Sequence, residues 1–562
     1  MSRQVIGEYV LTGTLVTRSA LAIGNGQSGA ATDAACMRDG AGRLVIPGTA
    51  LAGSLRATFG GLATWGGAQA ASALYVEDAP AIGDVVTEVR DGVGIDRRSG
   101  SAASGALFSR DVVPRDTNFA LDLRVEATGP IDDQVPGLSK EQAFEWVSGI
   151  ASELSAGRNL GAATSAGLGS IQLVDPQLVW RSIGTRAGLL RLLEAPGGET
   201  VTNSLPDAAR GTAGPAPAAR DEHLRITIPW HPRGPLLVSV PANGLVDRMP
   251  LTTGSGRKVR LVIPGSSLKG VLRTRAERIL RTLRGAETID EEFLGQMAQA
   301  ELDLVHRLFG RPPRKKEAGW RGSLHVAEVH SPEIPLWTDV LKALSARVPK
   351  EGSQAAQARP RIEANRVLRH DNGPLRINDH VAVSRWTGGA DEGRLFAVAA
   401  PEPGSDNWEP IVLDIDLRRL GENPVERRSA VMLVAFLVRD LAEGWIGVGY
   451  GTTRGYGEIT ADPAQVTFAF AANQPEGMDE SPAKRRPSSR SSNPRPTAWD
   501  PNSSGPGNRS SGSNRPKAGW RDASTLAWRC TGGGWGGVRR GVCADSAAGG
   551  LRKAKQHRSR HS

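Results

Sequence analysis

A twelve-residue segment that occurs twice is the strongest constraint on how this chain folds. Residues 45–56 read VIPGTALAGSLR and residues 262–273 read VIPGSSLKGVLR, and the two agree at eight positions. Each copy runs from β-branched residues through a Pro-Gly turn into a helix-favouring segment, which is typical of a corner between a strand and a helix. Two such corners, so far apart in the chain, indicate an internal duplication.

Two further motifs recur in the same order after each corner. VGIDRRSGSAASGALF (93–108) aligns with VAVSRWTGGADEGRLF (381–396) without a gap. GAATSAGLG (161–169) aligns with GYGTTRGYG (449–457) as G-x-x-T-[ST]-x-G-x-G. The order of the motifs, as well as their presence, is therefore shared by the two halves.

An apolar helix is predicted before each glycine loop. The first begins at Ser139, with Gln142 placed for a capping box, and the second covers 425–444. With the strand-like segments, each half has the order β-α-β-β-α-β. The sequence therefore predicts the α+β class, with two tandem ferredoxin-like (RRM-like, βαββαβ) domains and a disordered C-terminal tail.

Changes in composition predict the domain boundaries. A Pro-, Ala- and Gly-rich stretch separates the two repeats, and a Pro-, Gly-, Ser- and Arg-rich stretch ends the chain. The predicted parts are a first domain over 1–178, a linker over 179–222, a second domain over 223–472 with an insertion at about 284–370, and a tail over 473–562.

The net charge of +10 comes from the C-terminal end of the chain. Residues 475–562 contain 17 Lys and Arg against 6 Asp and Glu, whereas the other 474 residues contain 52 basic and 53 acidic side chains. RNA binding by the body of the chain would therefore need local basic patches. The tail is predicted to be disordered, either as a weak electrostatic arm for RNA or as a dispensable extension.

The remaining composition excludes several classes of protein. No run of about eighteen apolar residues predicts a membrane span, and the N-terminal segment lacks a signal-peptide apolar region. The three cysteines make neither a disulfide framework nor a paired metal-ligand spacing. We therefore expect a cytoplasmic protein with no membrane partner.

The glycine loops suit phosphate binding, because glycines at this spacing let backbone N–H groups point into one concavity. Arg454 adds a positive charge in the second loop. The pattern is not a P-loop, since it lacks the Gly-Lys-Ser/Thr ending. Glycine-rich turns also simply close sheets, and that alternative stays open.

The two corners suit an anion at a helix N-terminus. Thr49 in the first copy, and Ser266 or Ser267 in the second, are placed to cap the helix. The free N–H groups of a helix start can bind an anion. Lys269 and Arg273 follow one to two turns later in the second copy. Capping without any ligand is the alternative.

Asp33 and Asp247 lie in glycine-containing loops shortly before the corners. A lone loop aspartate is usually a turn residue, and nothing in the sequence builds a two-metal cluster or a nucleophile–base pair around these aspartates. Histidine is absent before His223, so the first half has no histidine general base. The residues alone leave a catalytic role of these aspartates open.

Together, these motifs resemble the RAMP superfamily, the repeat-associated proteins of CRISPR systems. The similarity is carried by the two IPG corners, by FG…LYVEDA and LFG…LHVAEV, by the R-x-[ST]-G segments and by the glycine loops. It extends over about residues 5–175 and 223–470. It is closest to the backbone subunits of type III effector complexes, so the chain resembles a tandem fusion of two such subunits.

The resemblance implies a guide-RNA-binding backbone subunit that cleaves complementary target RNA in antiviral defence. The implied partners are CRISPR guide RNA, complementary target RNA and the other subunits of a type III effector complex. In such subunits an aspartate in the loop before the corner cuts the target as part of the assembled complex, with a divalent metal ion, expected to be Mg²⁺. Asp33 and Asp247 match that loop, and Asp39 is a weaker substitute for Asp33.

The resemblance also implies RNA contacts at the corners, the glycine loops and the R-x-[ST]-G segments, which project as a thumb in related subunits. The sequence departs from the pattern where Ser384 replaces the acid that Asp96 supplies in the first half. The predicted RNA-binding residues are Gly48, Thr49, Arg56, Arg97, Gly161, Gly167, Gly169, Gly265, Ser266, Ser267, Lys269, Arg273, Arg385, Gly449, Arg454, Gly455 and Gly457.

Two other functions remain open at this point. The chain would be a catalytically inactive RNA-binding scaffold of the same complex if the aspartates do not cut. A guide-RNA-processing endonuclease shares the double ferredoxin-like plan, but such enzymes commonly use a histidine base, which the first half lacks.

Overall fold

Two α+β domains that repeat one plan make up the computed structural model of the chain. It describes residues 4–470 except 30–31, 60–70, 131–136, 195–196, 207–221, 256–257, 286–291, 298, 314–317, 335–336, 347–359, 361, 365, 367, 369–374 and 402–406. The predicted tail therefore lies outside the described residues. The α+β class and the two tandem domains predicted from the repeat are confirmed.

The first domain is an antiparallel sheet with helices packed on it. Its strands are β1 (Val5–Thr17), β2 (Val45–Ile46), β3 (Leu74–Val76), β4 (Ala79–Pro80), β5 (Glu88–Ile95), β6 (Ala102–Val112), β7 (Asn118–Thr128), β8 (Arg158–Asn159), β9 (Ser170–Ser182) and β10 (Glu199–Thr200). Its helices are α1 (Gly48–Thr58), α2 (Lys140–Ser155) and α3 (Arg186–Glu194). The main sheet runs β10-β9-β1-β7-β3, with β8 beside β9.

The core of this domain lies between the sheet and α2. Leu11 and Leu15 of β1 point to the same face and are fully buried, as the period of two in a strand requires. Val147, Ile150 and Leu154 form the matching buried stripe at helical spacing on α2. The predicted capping box is confirmed, since the Ser139 side chain accepts from the Gln142 N–H and the Gln142 side chain accepts from the Ser139 N–H.

The second domain repeats this plan with added strands. Its strands are β11 (His223–Ile228), β12 (His231–Pro232), β13 (Ser239–Pro241), β14 (Arg248–Pro250), β15 (Thr252–Ser255), β16 (Lys258–Ile263), β17 (Leu324–Val326), β18 (Val329–Glu333), β19 (Leu375–Val383), β20 (Ala390–Pro401), β21 (Ile411–Asp416), β22 (Ile459–Thr460) and β23 (Thr467–Phe470). Its helices are α4 (Gly265–Arg284), α5 (Phe293–Gln296), α6 (Asp303–Phe309), α7 (Trp337–Leu344) and α8 (Pro424–Ala442).

The two main sheets have the same strand order. In the second domain it is β17-β21-β11-β23, which corresponds to β3-β7-β1-β9 of the first. In each sheet the first strand of the domain, β1 or β11, has a neighbour on both sides. One of these neighbours is β9 or β23, which follows the second long helix of the domain. The second domain breaks this pair in two, because β12 and β22 continue the pairing of β11 and β23 as a separate short ladder.

Two local predictions differ from the structure. Hydroxyl capping of the corners is wrong: α1 and α4 begin at Gly48 and Gly265, so the N-cap residues are Pro47 and Pro264, which have no hydroxyl to donate or accept a capping bond. The first domain also extends past residue 178, since β9 runs to Ser182 and β10 pairs with it. The N-terminal part of the predicted linker is therefore ordered, since it contains the end of β9, the helix α3 and the edge strand β10.

Candidate functional site

Asp33 and Asp247 occupy the same structural position in their domains. The Asp33 N–H donates to the Ser109 carbonyl at 3.0 Å, and the Ser109 N–H donates back to Asp33 Oδ2 at 2.7 Å. Asp247 makes the same pair of bonds with Ala397, at 2.8 and 2.7 Å. Ser109 and Ala397 are equivalent, because each follows the Leu-Phe that ends its shared sixteen-residue motif. Asp33 lies thirteen residues before Ile46 of its corner, and Asp247 lies sixteen residues before Ile263. This difference in spacing does not change the position of the aspartates in the fold.

Each of these aspartates leaves one carboxylate oxygen available. Both residues are exposed, and no partner of Oδ1 is found among the described residues. Asp39 is different, because its carboxylate accepts from the N–H groups of Ala41 and Arg43 and pairs with the Arg43 guanidinium at 2.8 Å. Those bonds lower the pKa of Asp39, the bond from the Arg43 backbone most of all. Asp39 is thus a turn residue.

A long β-hairpin carries the strand residue that holds each aspartate. The hairpins are β5–β6 and β19–β20, and each exposes an apolar cross-strand pair, Val93 with Leu107 in the first and Val381 with Leu395 in the second. The tips have the same turn. The carboxylate of Asp96 accepts from backbone N–H groups at the first tip, which lowers the pKa of Asp96 to about 2. At the second tip the Ser384 hydroxyl takes over this bond by accepting from the N–H of Thr387.

The two glycine loops also have the same pattern of backbone hydrogen bonds. Leu160 and Val448 donate their N–H groups to the carbonyls of Gly169 and Gly457, which closes each loop. Gly169 has φ +85° and Gly457 has φ +75°, in the left-handed region. A Cβ at Gly457 would collide with the Val448 carbonyl oxygen, so the loop requires glycine there for both reasons.

Comparison with protein families identifies the family to which these two domains belong. The family described as the RAMP superfamily matches residues 14–172 and 249–460, one region in each domain. The chain belongs to the RAMP superfamily. RAMP proteins are CRISPR-associated, and membership supports RNA binding by this chain. The comparison with curated proteins gives no match.

The β5–β6 hairpin of the first RAMP domain is anchored in the second domain. Arg97 donates from Nε to Glu277 Oε2 on α4 at 2.7 Å, and their side chains are 7% and 0% exposed. Its backbone N–H donates to Gln296, which also donates to Asp96. Arg385 is the equivalent tip residue of the second RAMP domain and is exposed. The predicted RNA contact at Arg97 therefore lies at a protein junction, and that at Arg385 on an open surface.

The first glycine loop lies against the second IPG corner. Lys269 donates from Nζ to the carbonyls of Ser165, at 3.2 Å, and Leu324, at 2.8 Å. Burial, with Arg273 and Arg321 nearby, lowers the pKa of Lys269 to about 7. A Cβ at Gly167 would collide with the backbone of Glu328. Lys269, Gly167 and Gly265 thus belong to the contact between the RAMP domains, whereas Gly161 and Gly169 pack against Ala22 and Leu160 of their own domain.

The two IPG corners differ in how the acidic residue next to the helix N-terminus is bonded. The Gly48 N–H of α1 donates to Asp78 Oδ1 at 2.8 Å, so a carboxylate already occupies part of that anion position. In the second RAMP domain the equivalent acid, Glu328, accepts from Ala20 of the first domain at 3.2 Å. Arg273 is also turned inward, toward Glu277 and the Gly310 carbonyl. Of the other predicted corner residues, those exposed are Thr49, Arg56 and Ser266, and Ser267 is half-buried.

Beside the second aspartate the sequence analysis predicted Arg454 but missed three residues that lie around it, Arg248, Tyr450 and Phe396. Arg454 lies with its guanidinium 4.9 Å from the Tyr450 ring centroid and 5.5 Å from that of Phe396. Arg248, next to Asp247, lies 6.0 Å from the same Tyr450 ring. The alignment of the halves contained a signal for them, since alanine replaces all three polar or charged members in the first half: Ala34, Ala162 and Ala166.

The surroundings of the two aspartates bear on whether they could hold a metal ion. Among the described residues, no three His, Cys, Asp or Glu side chains gather into a ready metal site. A single exposed carboxylate nevertheless fits Mg²⁺, which usually binds through one or two carboxylates, waters and the substrate's phosphates. Within the same part of the chain, no helix is long and apolar enough to cross a membrane.

Proposed function

We propose that this RAMP protein is a guide-RNA-binding backbone subunit of a type III CRISPR effector complex, with one target-cleaving aspartate in each domain. The observation that carries the proposal is the matched setting of Asp33 and Asp247. Each is held by the base of its thumb hairpin through the same two bonds and keeps one oxygen exposed. Two equivalent sites in one chain suit cutting at regular intervals along one strand.

The proposed chemistry needs little from the protein. The 2′-oxygen of the RNA attacks the adjacent phosphorus, the bond to the 5′-oxygen breaks, and a cyclic phosphate and a 5′-hydroxyl remain. The thumb hairpins, with their exposed apolar pairs, would distort the strand toward this in-line geometry. A hairpin can do this without reading bases, because a guide–target duplex is recognised by shape and backbone.

The bonds to Ser109 and Ala397 orient each carboxylate before RNA arrives. Because Oδ2 accepts a backbone N–H, Oδ1 stays directed away from the strand that holds it. Asp33 and Asp247 would hold a divalent cation together with the RNA phosphate, and the bound ion would neutralise charge that develops on the phosphate. Removal of divalent ions should therefore stop cutting and leave guide binding in place.

Cut mapping in the assembled complex tests the proposal. The complex is loaded with guide RNA, given matching target RNA, and compared for wild type, Asp33→Ala, Asp247→Ala and the matched control Asp39→Ala. We expect each of the first two substitutions to remove one cut and Asp39→Ala to remove none, with target binding equal in all four.

Unchanged cutting in both Asp33→Ala and Asp247→Ala would sink the catalytic assignment. The chain would then be the RNA-binding scaffold of the same complex. A chain that neither joins the complex nor contacts the guide would refute the backbone role itself.

A further inference from the structure

The side chains around the second glycine loop form a continuous stack beside Asp247. The Arg454 guanidinium lies over the Tyr450 ring, 4.9 Å from its centroid, and over the Phe396 ring, 5.5 Å from its centroid. The stack continues from Phe396 to His380, whose ring is nearly parallel to it (19°) with centroids 5.0 Å apart. Arg248 stands at the other end, 6.0 Å from the Tyr450 centroid. Successive planar groups of this kind are the platform on which proteins stack nucleic-acid bases.

The two arginines of the stack are not neutralised. Among the described residues, neither Arg248 nor Arg454 forms an ion pair with a carboxylate, and Arg454 is exposed. A second tyrosine–arginine pair of the chain provides a contrast. Arg124 lies 5.5 Å from the Tyr75 ring but also pairs with Glu77 at 2.8 Å. The pair at the glycine loop therefore keeps positive charge for a ligand, and the pair at Tyr75 does not.

No such stack is found in the first domain among the residues that the structure describes. Ala34, Ala162 and Ala166 stand where the second domain has Arg248, Tyr450 and Arg454. The loop that carries two of these alanines contacts the second domain through the Ser165 carbonyl, to which Lys269 donates, while Ala162 is exposed. The Thr452–Arg454 turn of the second glycine loop is exposed.

We propose that this stack, Arg248–Tyr450–Arg454–Phe396, is a subsite for one unpaired ribonucleotide and is present in the second domain only. The base stacks on the Tyr450 and Arg454 planes, and the guanidiniums of Arg248 and Arg454 face the phosphates on either side of it. This deepens the proposed function and rests on it. Its consequence is that the Asp247 site positions its strand with its own stack, whereas the Asp33 site depends on the guide duplex alone.

A comparison of two probes isolates stacking from electrostatic attraction, including that of the basic tail. The full chain is titrated with a fluorescein-labelled twelve-nucleotide oligoadenylate and with a ribose-phosphate strand of equal length that lacks bases. Because both probes carry the same charge, the ratio of their Kd values reports the bases alone. The variants are Tyr450→Leu, the conservative Tyr450→Phe, Arg454→Ala on the exposed turn, and the matched control Tyr75→Leu.

We expect Tyr450→Leu to lower the preference for the base-bearing strand at least about fivefold, as the loss of one stacked base implies. Arg454→Ala should lower it too, and because that side chain is exposed its removal leaves the fold intact. Tyr450→Phe and Tyr75→Leu should keep the wild-type ratio. A ratio that is the same in wild type, Tyr450→Leu and Arg454→Ala would overturn the subsite, and so would a wild-type chain with no preference for bases. Neither result affects the cut mapping of Asp33→Ala and Asp247→Ala, which tests the proposed function separately.

Discussion

The buried charge at the junction between the domains allows a sharp comparison of two substitutions. Glu277 on α4 faces three arginines: Arg97 of the first domain at 2.7 Å, Arg273 at 2.8 Å and Arg281 at 3.7 Å. It is the shared counter-ion of this group. Removing its charge should therefore cost much more than removing any one arginine.

The magnitudes follow from which charges are left without a partner. Glu277→Gln leaves Arg97 and Arg273, both nearly buried, without their counter-ion, and breaking a buried pair in this way costs about 3–5 kcal/mol. Arg97→Ala leaves Glu277 with two arginines, so the loss is that of a charged hydrogen bond, about 1.5–3 kcal/mol. Arg385→Ala removes the equivalent exposed tip residue and should change stability by less than about 0.5 kcal/mol.

Urea unfolding followed by tryptophan fluorescence measures these differences, and hydrogen exchange of the β5–β6 amides reports whether the hairpin stays docked. We expect the unfolding midpoint to fall in the order Arg385→Ala, Arg97→Ala, Glu277→Gln, with faster exchange at the hairpin in the last two. A loss in Arg97→Ala equal to that in Glu277→Gln would refute the idea of a shared counter-ion. A loss in Arg385→Ala of the same size would refute the docking of the first hairpin alone.

Two further predictions concern local features of the second domain. Because burial lowers the pKa of Lys269 to about 7 from 10.5, the unfolded chain binds a proton between these values that the folded chain does not. The unfolding free energy of wild type relative to Lys269→Met should therefore rise as the pH increases from about 7 to about 10, and a difference that stays flat in pH-dependent urea titrations would contradict this. Gly455→Ala should cost about 1–2 kcal/mol for its left-handed φ of +84° alone, since a Cβ there meets open space. Gly457→Ala should lower the melting temperature clearly more, because its Cβ also meets the Val448 carbonyl, and equal shifts for the two would argue against that contact.

Local sequence patterns were sufficient to predict the fold class, the two domains and several of their elements. The twice-used IPG corner, the shared hairpin motif and the glycine loops were sufficient to place two α+β domains and both apolar helices, since hydrophobic periodicity and turn residues act over a few positions. The capping box at Ser139 and Gln142 follows from the same local logic. Asp33 and Asp247 were chosen through the family resemblance, and the structure adds that they share one setting while Asp39 does not.

Which surfaces meet was decided by tertiary structure. Arg97 and Arg385 align exactly in the repeat, yet the first is buried against Glu277 and the second is exposed. The two glycine loops also differ in their contacts. Lys269 of the second IPG corner donates to the first loop, whereas the second loop carries a stack of rings and guanidiniums. A duplicated sequence determines two similar domains, but only one junction can form between them in a single chain. Arg97 and the first glycine loop bond to partners across that junction. Their equivalents in the second domain, Arg385 and the second glycine loop, have no such junction and keep exposed arginines that can bind another ligand.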